Sequence, residues 1–434
     1  MKTDAIKNFF TGQKWWIVWL LRLLIGAVFV VSGIAKGLDI WGFVYKIEEY
    51  LEVWHVDQPH SLCLVAAIAI ACAEFLGGLS LVTGCYRRVS VWLLSAIMAV
   101  MLPLTLYIYI ESPVPDCGCF GDFIVISNAA TFWKNVAIVV GLVYLLIFNH
   151  KVKGLYHPYL QWMVMMAGLL YFLFVSLYGY VVQPMVDFRS FPVGTQILPD
   201  DSEEDESDYD TEIEFIYEKD GEQMAFTIDS LPDSTWTFVA RTMGNDILHD
   251  DAGTELAIYD DMGDEVTDDV IDIEGEQLIV TLPDYRRASP AYTYTINELK
   301  RYILHKGGSL IEITDMPGDQ MDRWRDYSMA QYPIYRSEST MIKELVRGTM
   351  AVVYIRSGII VGKRNLGAVD PVKMEEDELA GTDPLGQLEY SDGELFLKVT
   401  VLMGIILAVL FALQMALQLL RKHRKTCEES KKND

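Results

Sequence analysis

The sequence predicts a helical membrane protein that also carries an α/β domain outside the membrane. The chain has 434 residues, enough for two domains. Hydrophobic residues make up 51% of it, yet its formal net charge is −25. A single globular core does not combine so many apolar residues with so much negative charge. The apolar and the acidic residues are therefore expected in different parts of the chain.

Six apolar segments are long enough to cross a membrane, since about 20 helical residues span its hydrocarbon core. They lie near Trp15–Lys36, Ser61–Thr83, Val89–Ile110, Phe132–Asn149, Tyr159–Val181 and Phe396–Leu420. The first segment is too long for a cleavable signal peptide, Arg22 interrupts it, and no small-residue cleavage site follows. We therefore expect an uncleaved signal anchor.

Lysine and arginine in the short connections predict the orientation, because positively charged loops stay in the cytoplasm. Basic clusters precede the first segment, join the second to the third and the fourth to the fifth, and follow the sixth. All four clusters fall on one side if the segments alternate. Both termini are therefore expected in the cytoplasm, and the large segment 182–395 on the opposite side.

The segment outside the membrane begins with an acidic run at residues 200–214, which is typical of a solvated linker. Calcium binding is the sharper alternative, but the spacing of an EF-hand is absent. After this run, strand patterns such as Gln277–Leu282 and Leu310–Thr314 alternate with helical ones such as Ile296–Lys306. A hairpin around Ser357-Gly358 closes the series. The order of these elements is similar to that of a thioredoxin-like domain.

The resemblance to thioredoxins covers the fold and not the active site. In thioredoxins a Cys-x-x-Cys motif follows the first core strand, whereas here the stretch 283–290 has no cysteine. The whole segment 182–395 has none. We therefore expect this domain to bind a partner, a substrate segment or the membrane domain, without redox chemistry of its own.

Cys117 and Cys119 form the most conspicuous candidate site. They lie in the predicted outer loop between the third and fourth segments, within Asp116-Cys-Gly-Cys-Phe-Gly-Asp122. A disulfide between cysteines so close closes a small, strained ring, which is easily reduced and suits exchange. A structural pair is one alternative. A zinc site completed by His55 and His60 is another.

Three more residues are candidates. Cys63 begins the second segment near the same surface and could resolve a mixed disulfide. Arg22 and Glu74 lie at similar depths in the first two segments, so antiparallel helices could join them as an ion pair. Such a pair could be structural, a proton relay, or a polar anchor for a quinone head group. Close helix packing is expected at Gly26, Gly33, Gly77 and Gly78.

The membrane part resembles the DoxX-like proteins, especially the branch of methylamine-utilisation protein MauE. The resemblance covers about residues 15–150 and rests on Arg22–Lys36, Glu74–Gly84 and the Cys-Gly-Cys-Phe-Gly loop. The continuation at Pro184–Arg189 looks like a Bacteroidota version fused to a cysteine-less thioredoxin-like domain. The resemblance implies a four-helix bundle in a bacterial inner membrane and a link with disulfide formation. Groups of similar plan couple cysteines to quinone, so a quinone is a possible cofactor.

The predicted order is a DoxX/MauE-like membrane domain (1–154), a fifth transmembrane helix (155–181), an acidic linker (182–214), a degenerate thioredoxin-like periplasmic domain (215–395), a sixth helix (396–420) and a basic tail (421–434). The expected function is thiol–disulfide exchange, or maturation of periplasmic proteins, through Cys117 and Cys119 with Cys63. The alternative is a non-enzymatic assembly subunit that binds partners through its acidic domain. The chain is expected in the lipid bilayer, and its acidity excludes nucleic acid as a partner.

Overall fold

The computed structural model describes residues 14–56, 58–111, 118, 121–124, 126–149, 153–198, 213–219, 222–227, 237–243, 246–248, 256–389 and 392–433. Within these ranges, only the backbone is described at residues 14–15, 122, 213–248, 319 and 420–433. The chain divides into two compact units, Met1–Phe188 with Tyr390–Asp434, and Arg189–Glu389.

Within the described ranges, the first unit has six helices long and apolar enough to cross a membrane, which confirms the six predicted segments. In chain order its helices are α1 (Lys14–Leu38), the shorter α2 (Ile40–Val53), α3 (His60–Thr83), α4 (Arg87–Glu111), α5 (Asn128–Phe148), α6 (Pro158–Val181) and a last span over Asp392–Asn433. Large apolar side chains such as Trp92 and Val100 are exposed along these helices. A lipid environment accounts for that exposure, which would be costly in water.

Glycines bring α1 and α3 into close contact. A Cβ added at Gly33 would lie 2.6 Å from the backbone nitrogen of Phe75, and one at Gly78 would lie 2.7 Å from the carbonyl oxygen of Gly26. A Cβ at Gly77 would come as close to a leucine of α4. The backbones approach at these positions because no side chain separates them, so the predicted packing role of the glycines is confirmed.

The other helices complete an apolar core around this pair. On one side α4 and α5 pack against α1 through a buried cluster that includes Ile25, Phe29, Leu94, Met98 and Leu142. On the other side α6 and the last span pack against α3 through a second cluster that includes Phe75, Tyr171, Phe172 and Met403.

The connection between α1 and α3 contains α2, whose 14 residues are too few to cross a membrane. The Asp39 carboxylate caps its first turn by accepting a hydrogen bond from the backbone N–H of Gly42 at 2.9 Å. Ile40, Trp41 and Val44 form its buried face. An Asp followed by apolar residues three or four positions apart is a recognisable helix signal, so α2 could have been predicted from the sequence.

The second unit contains two sheets. Strands β1 (Ile213–Lys219), β2 (Glu222–Thr227), β3 (Thr237–Met243) and β4 (Asp246–Leu248) form an antiparallel sheet in the order β2-β1-β3-β4. The consecutive strands β1 and β2 are paired from Glu214 with Thr227 to Lys219 with Glu222.

The second sheet has five strands in the order β7-β6-β5-β8-β9. β5, β6 and β7 are parallel, whereas β8 is antiparallel to both β5 and β9. The elements are α7 (Thr267–Val270), β5 (Glu276–Leu282), α8 (Thr293–His305), β6 (Ser309–Thr314), α9 (Gly318–Ser328), β7 (Ile334–Arg336), α10 (Ser339–Leu345), β8 (Ala351–Arg356), β9 (Ile359–Asn365) and α11 (Pro371–Ala380). The last span of the first unit is therefore α12. The predicted strands and helices of this region are confirmed, and α7, β7 and α11 are additions.

A carboxylic acid, Glu312, is buried on one face of this sheet. The indole N–H of Trp324 donates a hydrogen bond of 2.7 Å to its Oε1. Its Oε2 has no hydrogen-bond partner in the described part of the chain. Burial raises the pKa of Glu312 from its ordinary 4.5 to about 7, although the Trp324 indole and the nearby Tyr332 hydroxyl act in the opposite direction. Glu312 therefore carries a proton in the folded protein under mildly acidic conditions.

The raised pKa of Glu312 predicts that the second unit loses stability as pH rises. Between pH 4.5 and about 7 the unfolded chain releases this proton while the folded chain retains it. The contribution of Glu312 to the free energy of unfolding should then be complete below pH 4.5 and fall by about 3 kcal/mol across this range. Denaturant unfolding of the full-length protein in detergent at each pH measures the change. Glu312→Gln should remove this part of the fall, whereas the exposed Glu375→Gln should keep it, and parallel curves for all three proteins would contradict the prediction.

The close contact of α1 with α3 predicts that Gly33→Ala is destabilising. The new Cβ meets backbone atoms of α3, which cannot rotate away, so overpacking should cost about 1–3 kcal/mol. Gly404→Ala in α12 is the matched control, because a Cβ there meets no atom within 4 Å. Thermal unfolding in detergent should show a lower midpoint for the first variant and no loss for the second. Equal midpoints would show that the helices can separate without cost.

Candidate functional site

The bundle has one end at which α1 ends at Leu38 and α3 begins at His60. It is called the outer end here, since the basic residues of the loops predict that it faces away from the cytoplasm. Helix α2 lies at this end and packs against α3 through Ile40, Trp41 and Val44. The predicted cysteine loop joins α4 to α5 at the same end.

Cys117 and Cys119 lie outside the described residues, but Gly118 between them is described. Its φ of +60° is a left-handed conformation that favours glycine. A Cβ at Gly118 would lie 3.2 Å from Cγ of Lys46, so this glycine packs against α2. Its carbonyl oxygen accepts a hydrogen bond of 3.1 Å from the backbone N–H of Gly121. The residue between the two cysteines is therefore seated on the lysine side of α2.

The end of the cysteine motif is also anchored. Residues Gly121–Phe123 form a 3-10 turn that contacts both α1 and α2. The Phe123 ring meets the Phe188 ring edge to face, with centroids 4.8 Å apart. Gly118 and Gly121–Phe123, which come before and after Cys119 in sequence, thus both lie at the outer end.

Glu74 forms a buried ion pair with Lys36. The ammonium of Lys36 lies 2.8 Å from both carboxylate oxygens, and the two side chains are 2% and 3% exposed. The hydroxyl of Ser32 donates a third hydrogen bond to the carboxylate at 2.8 Å. The ring of Phe43 from α2 lies over the ammonium, with 4.9 Å between the nitrogen and the ring centroid. Each charge is thereby compensated inside the bundle.

The predicted ion pair between Arg22 and Glu74 is wrong. The guanidinium of Arg22 donates to the side-chain and backbone oxygens of Asn149 and, at 3.3 Å, to the carbonyl of Lys153. It also lies close to Gly84, just beyond the end of α3. The close contact of the glycines sets this register and places Arg22 level with the end of α3, more than two helical turns from Glu74.

A small cavity adjoins the ion pair between α1, α3, α4 and α5. Its polar lining comes from Ser32, Lys36, Glu74, Lys134 and Asn135. The space open to the centre of a water molecule is about 30 Å³. About 10–15 Å³ holds one water by this measure, so two waters fit and a quinone ring does not. Glu74 therefore lines a polar cavity of water size, while Arg22 does not line it.

The remaining predicted site residues lie at the outer end. Cys63 is 2% exposed and packs with Trp41 in the cluster that joins α2 to α3. His60 is paired with Glu48, whereas His55 is exposed in the turn after α2. Within the described residues, no three His, Cys, Asp or Glu side chains gather as a metal site requires. The zinc alternative also needs Cys117 and Cys119, so it stays a prediction.

The polar residues that the sequence analysis did not single out are Lys36 and Glu48. Lys36 follows Ser32 by four residues and so shares its helix face, which was a usable signal. Glu48 gave no such signal, because its partner His60 belongs to another helix.

The fold and this site define a multi-pass membrane protein with a polar centre inside its helical bundle. Residues 14–148, which include α1 to α5, match the family model of methylamine utilisation protein MauE. Residues 211–243, which include β1 to β3, match a domain of unknown function (DUF8463). A comparison with curated proteins gives no match.

The ion pair predicts different outcomes for single and double substitutions. Lys36→Met leaves the Glu74 carboxylate buried without its cation, which should cost about 3–5 kcal/mol. Lys36→Met combined with Glu74→Met replaces the pair with apolar groups of similar size and should recover most of that stability. Thermal unfolding in detergent measures both. If the double variant is no more stable than the single one, the two charges do not act as a pair.

Proposed function

We propose that the protein carries out thiol–disulfide exchange on extracytoplasmic proteins through Cys117 and Cys119. The observation that supports this proposal is the packing of Gly118, the residue between the two cysteines, against Lys46 at the outer end of the bundle. A strained disulfide seated on a rigid support can be presented to a client protein.

The exchange needs no external redox reagent. A client thiolate attacks one sulfur of the Cys117–Cys119 disulfide, forms a mixed disulfide and releases the other cysteine as a thiolate. The second client thiolate then attacks the mixed disulfide, which leaves the client oxidised and the pair reduced. The reverse sequence reduces or rearranges a client disulfide.

Lys46 supports this chemistry electrostatically. Its side chain runs along Gly118, and its ammonium lies 3.2 Å from the carboxylate of Glu49. A nearby ammonium favours a thiolate, which is both the attacking and the leaving species of the exchange. It would offset the two aspartates that flank the motif in sequence.

The match to the MauE family model over residues 14–148 supports this proposal, because the matched region contains the motif and its support. We further propose that the protein lies in a bacterial inner membrane with its second unit in the periplasm. Reoxidation by a quinone is the possibility that the resemblance implies. The water-sized cavity beside Glu74 is too small for its ring, whereas the apolar groove of about 530 Å³ between α6 and α12 has room for it.

We propose that the second unit is thioredoxin-like and holds the client. The order of β5, α8, β6, β8 and β9 and the antiparallel pairing of the last two strands support the fold. The segment 182–395 has no cysteine, so the unit would contribute binding and leave the thiol chemistry to the membrane body.

The redox proposal predicts that Cys117 and Cys119 switch between a disulfide and two free thiols in native membranes. Thiols are blocked with an alkylating reagent before and after mild reduction, and mass spectrometry assigns each cysteine. The pair should be protected before reduction and labelled after it, and Cys119→Ser should trap a client on Cys117. Protection that a chelator removes would support the zinc alternative instead.

The alternative function is a non-enzymatic assembly subunit, which the absence of cysteine from the second unit favours. The double variant Cys117→Ser/Cys119→Ser separates the two. Loss of client oxidation with normal folding supports exchange. If the double variant is fully functional, and Cys117 and Cys119 of the unmodified protein never change oxidation state, the assembly role is supported instead.

A further inference from the structure

The end of the bundle opposite the outer end collects positive charge, and it is called the basic end here. Helix α4 begins at this end with Arg87 and Arg88, and Lys153 lies in the connection that follows α5. The sequence has no Asp or Glu in residues 75–110 or 123–186, which supply most of the basic end. No carboxylate of these two stretches can therefore balance the positive charge.

The buried Arg22 serves the ends of two helices at the basic end. Its guanidinium donates a hydrogen bond of 2.8 Å to the backbone oxygen of Asn149, and a Cβ added at Gly84 would lie 3.2 Å from its Nη1. Helix C-termini are the negative ends of helix dipoles, so a cation stabilises the ends of α3 and α5. The start of α4 is a positive end instead, and Arg87 and Arg88 add to its charge. An anion is favoured at this place.

A pocket opens between the start of α4 and the end of α5. Its lining combines basic and amide groups with apolar ones and includes Arg87, Arg88, Trp92, Leu145, Leu146 and Asn149. The space open to the centre of a water molecule is about 110 Å³. About 10–15 Å³ holds one water by this measure, so about seven waters fit. The pocket therefore has room for a group of five heavy atoms such as phosphate.

The amide of Asn149 fixes the walls of this pocket. Its Nδ2 donates a hydrogen bond of 2.6 Å to the backbone carbonyl of Arg87, and its Oδ1 accepts one from Arg22. Asn149 is buried, so these bonds are shielded from water. The spacing between the start of α4 and the end of α5 is therefore set by hydrogen bonds within the bundle.

The pocket lies at the depth where hydrocarbon meets lipid head groups. Trp92 follows Arg88 by four residues, so the two share a face of α4. The side chain of Trp92 is largely exposed, as is that of Val89. Tryptophan concentrates at the boundary between hydrocarbon and water. Arg88 thus lies one helical turn closer to the water than an interfacial tryptophan.

We propose that this pocket binds the phosphate of an anionic phospholipid, with the guanidinium groups of Arg87 and Arg88 on the phosphate oxygens. Guanidinium groups pair with phosphate through two parallel hydrogen bonds. Basic pockets between membrane helices suit anionic head groups. The exposed apolar surface beside the pocket favours a lipid over free phosphate, because Trp92 and Leu146 can contact its chains.

A lipid held in this pocket would join the start of α4 to the end of α5. The other ends of these two helices are connected by the segment that contains the cysteine motif. The lipid would therefore stabilise the helix pair that carries this motif. The lipid site is nevertheless independent of the proposed thiol exchange, since its binding needs no cysteine.

Arg87 and Arg88 also belong to the basic clusters that predict the orientation of the chain. Orientation depends on how many basic residues a loop carries, and lysine serves it as well as arginine. A phosphate site differs, because it depends on which residues line the pocket and on the paired hydrogen bonds of arginine. This difference separates the two roles experimentally.

The test measures lipid binding to the full-length protein in detergent by native mass spectrometry. Phosphatidylglycerol is the anionic probe, and phosphatidylcholine with the same acyl chains is the zwitterionic one. The unmodified protein should bind phosphatidylglycerol more tightly. Arg88→Gln should weaken this binding about fivefold and Arg87→Gln/Arg88→Gln about 30-fold, while binding of phosphatidylcholine stays the same.

Two further variants serve as controls. Lys153→Gln removes one positive charge from the same end, but the side chain of Lys153 is exposed and does not line the pocket. Its affinity for phosphatidylglycerol should match that of the unmodified protein. Arg87→Lys/Arg88→Lys keeps both charges, and with them the orientation. It should still bind phosphatidylglycerol several-fold more weakly, because an ammonium cannot form the paired hydrogen bonds.

Three results would overturn the inference. The first is equal affinity of the unmodified protein for the two lipids. The second is an equal loss in Arg88→Gln and Lys153→Gln, or full affinity in Arg87→Lys/Arg88→Lys, since charge alone would then hold the lipid. The third is displacement of phosphatidylglycerol by millimolar inorganic phosphate, which would make free phosphate the occupant. None of these results depends on whether Cys117 and Cys119 exchange disulfides.

Discussion

The close contact of α1 with α3 is the constraint on which the rest of the membrane unit depends. Gly33 and Gly78 let the two backbones touch, and this contact sets how far each helix lies along the other. At that register Lys36 and Glu74 meet at 2.8 Å. A charge without a partner in hydrocarbon costs about 2.5–3.5 kcal/mol on insertion scales. Sliding α1 along α3 by one turn would leave both Lys36 and Glu74 without a partner, so this cost would arise for each of them. The glycines and the ion pair therefore specify the same arrangement.

The outer end is built on this pair of helices. Helix α2 packs on α3 and carries charged residues on two of its faces. Lys46 lies on one side with Gly118 of the cysteine motif. Glu48 lies on the other with His60, the first residue of α3. One short helix thus contacts both Gly118 and the start of α3.

The second unit places its polar groups differently. Its five-stranded sheet is covered by apolar clusters on both faces. Within one of these clusters Glu312 is held by Trp324, and burial raises its pKa to about 7. The segment 182–395 has no cysteine, and its titratable core group is this carboxylic acid.

The sequence alone determined the six membrane spans and most strands of the second unit, because hydropathy and periodicity are local properties of the chain. It also indicated the packing role of Gly33 and its counterparts, since small residues in a membrane helix permit close approach whatever the partner. The cysteine motif was equally visible, as two cysteines around a glycine need no fold to be noticed.

Only the tertiary structure decided which distant residues meet. Glu74 pairs with Lys36 and not with Arg22, because the register of two helices depends on contacts between residues far apart in the chain. The same reason hid the pairing of Glu48 with His60, which belong to different helices. Depth counted from helix ends could not replace this register, since α1 and α3 do not begin and end at the same level.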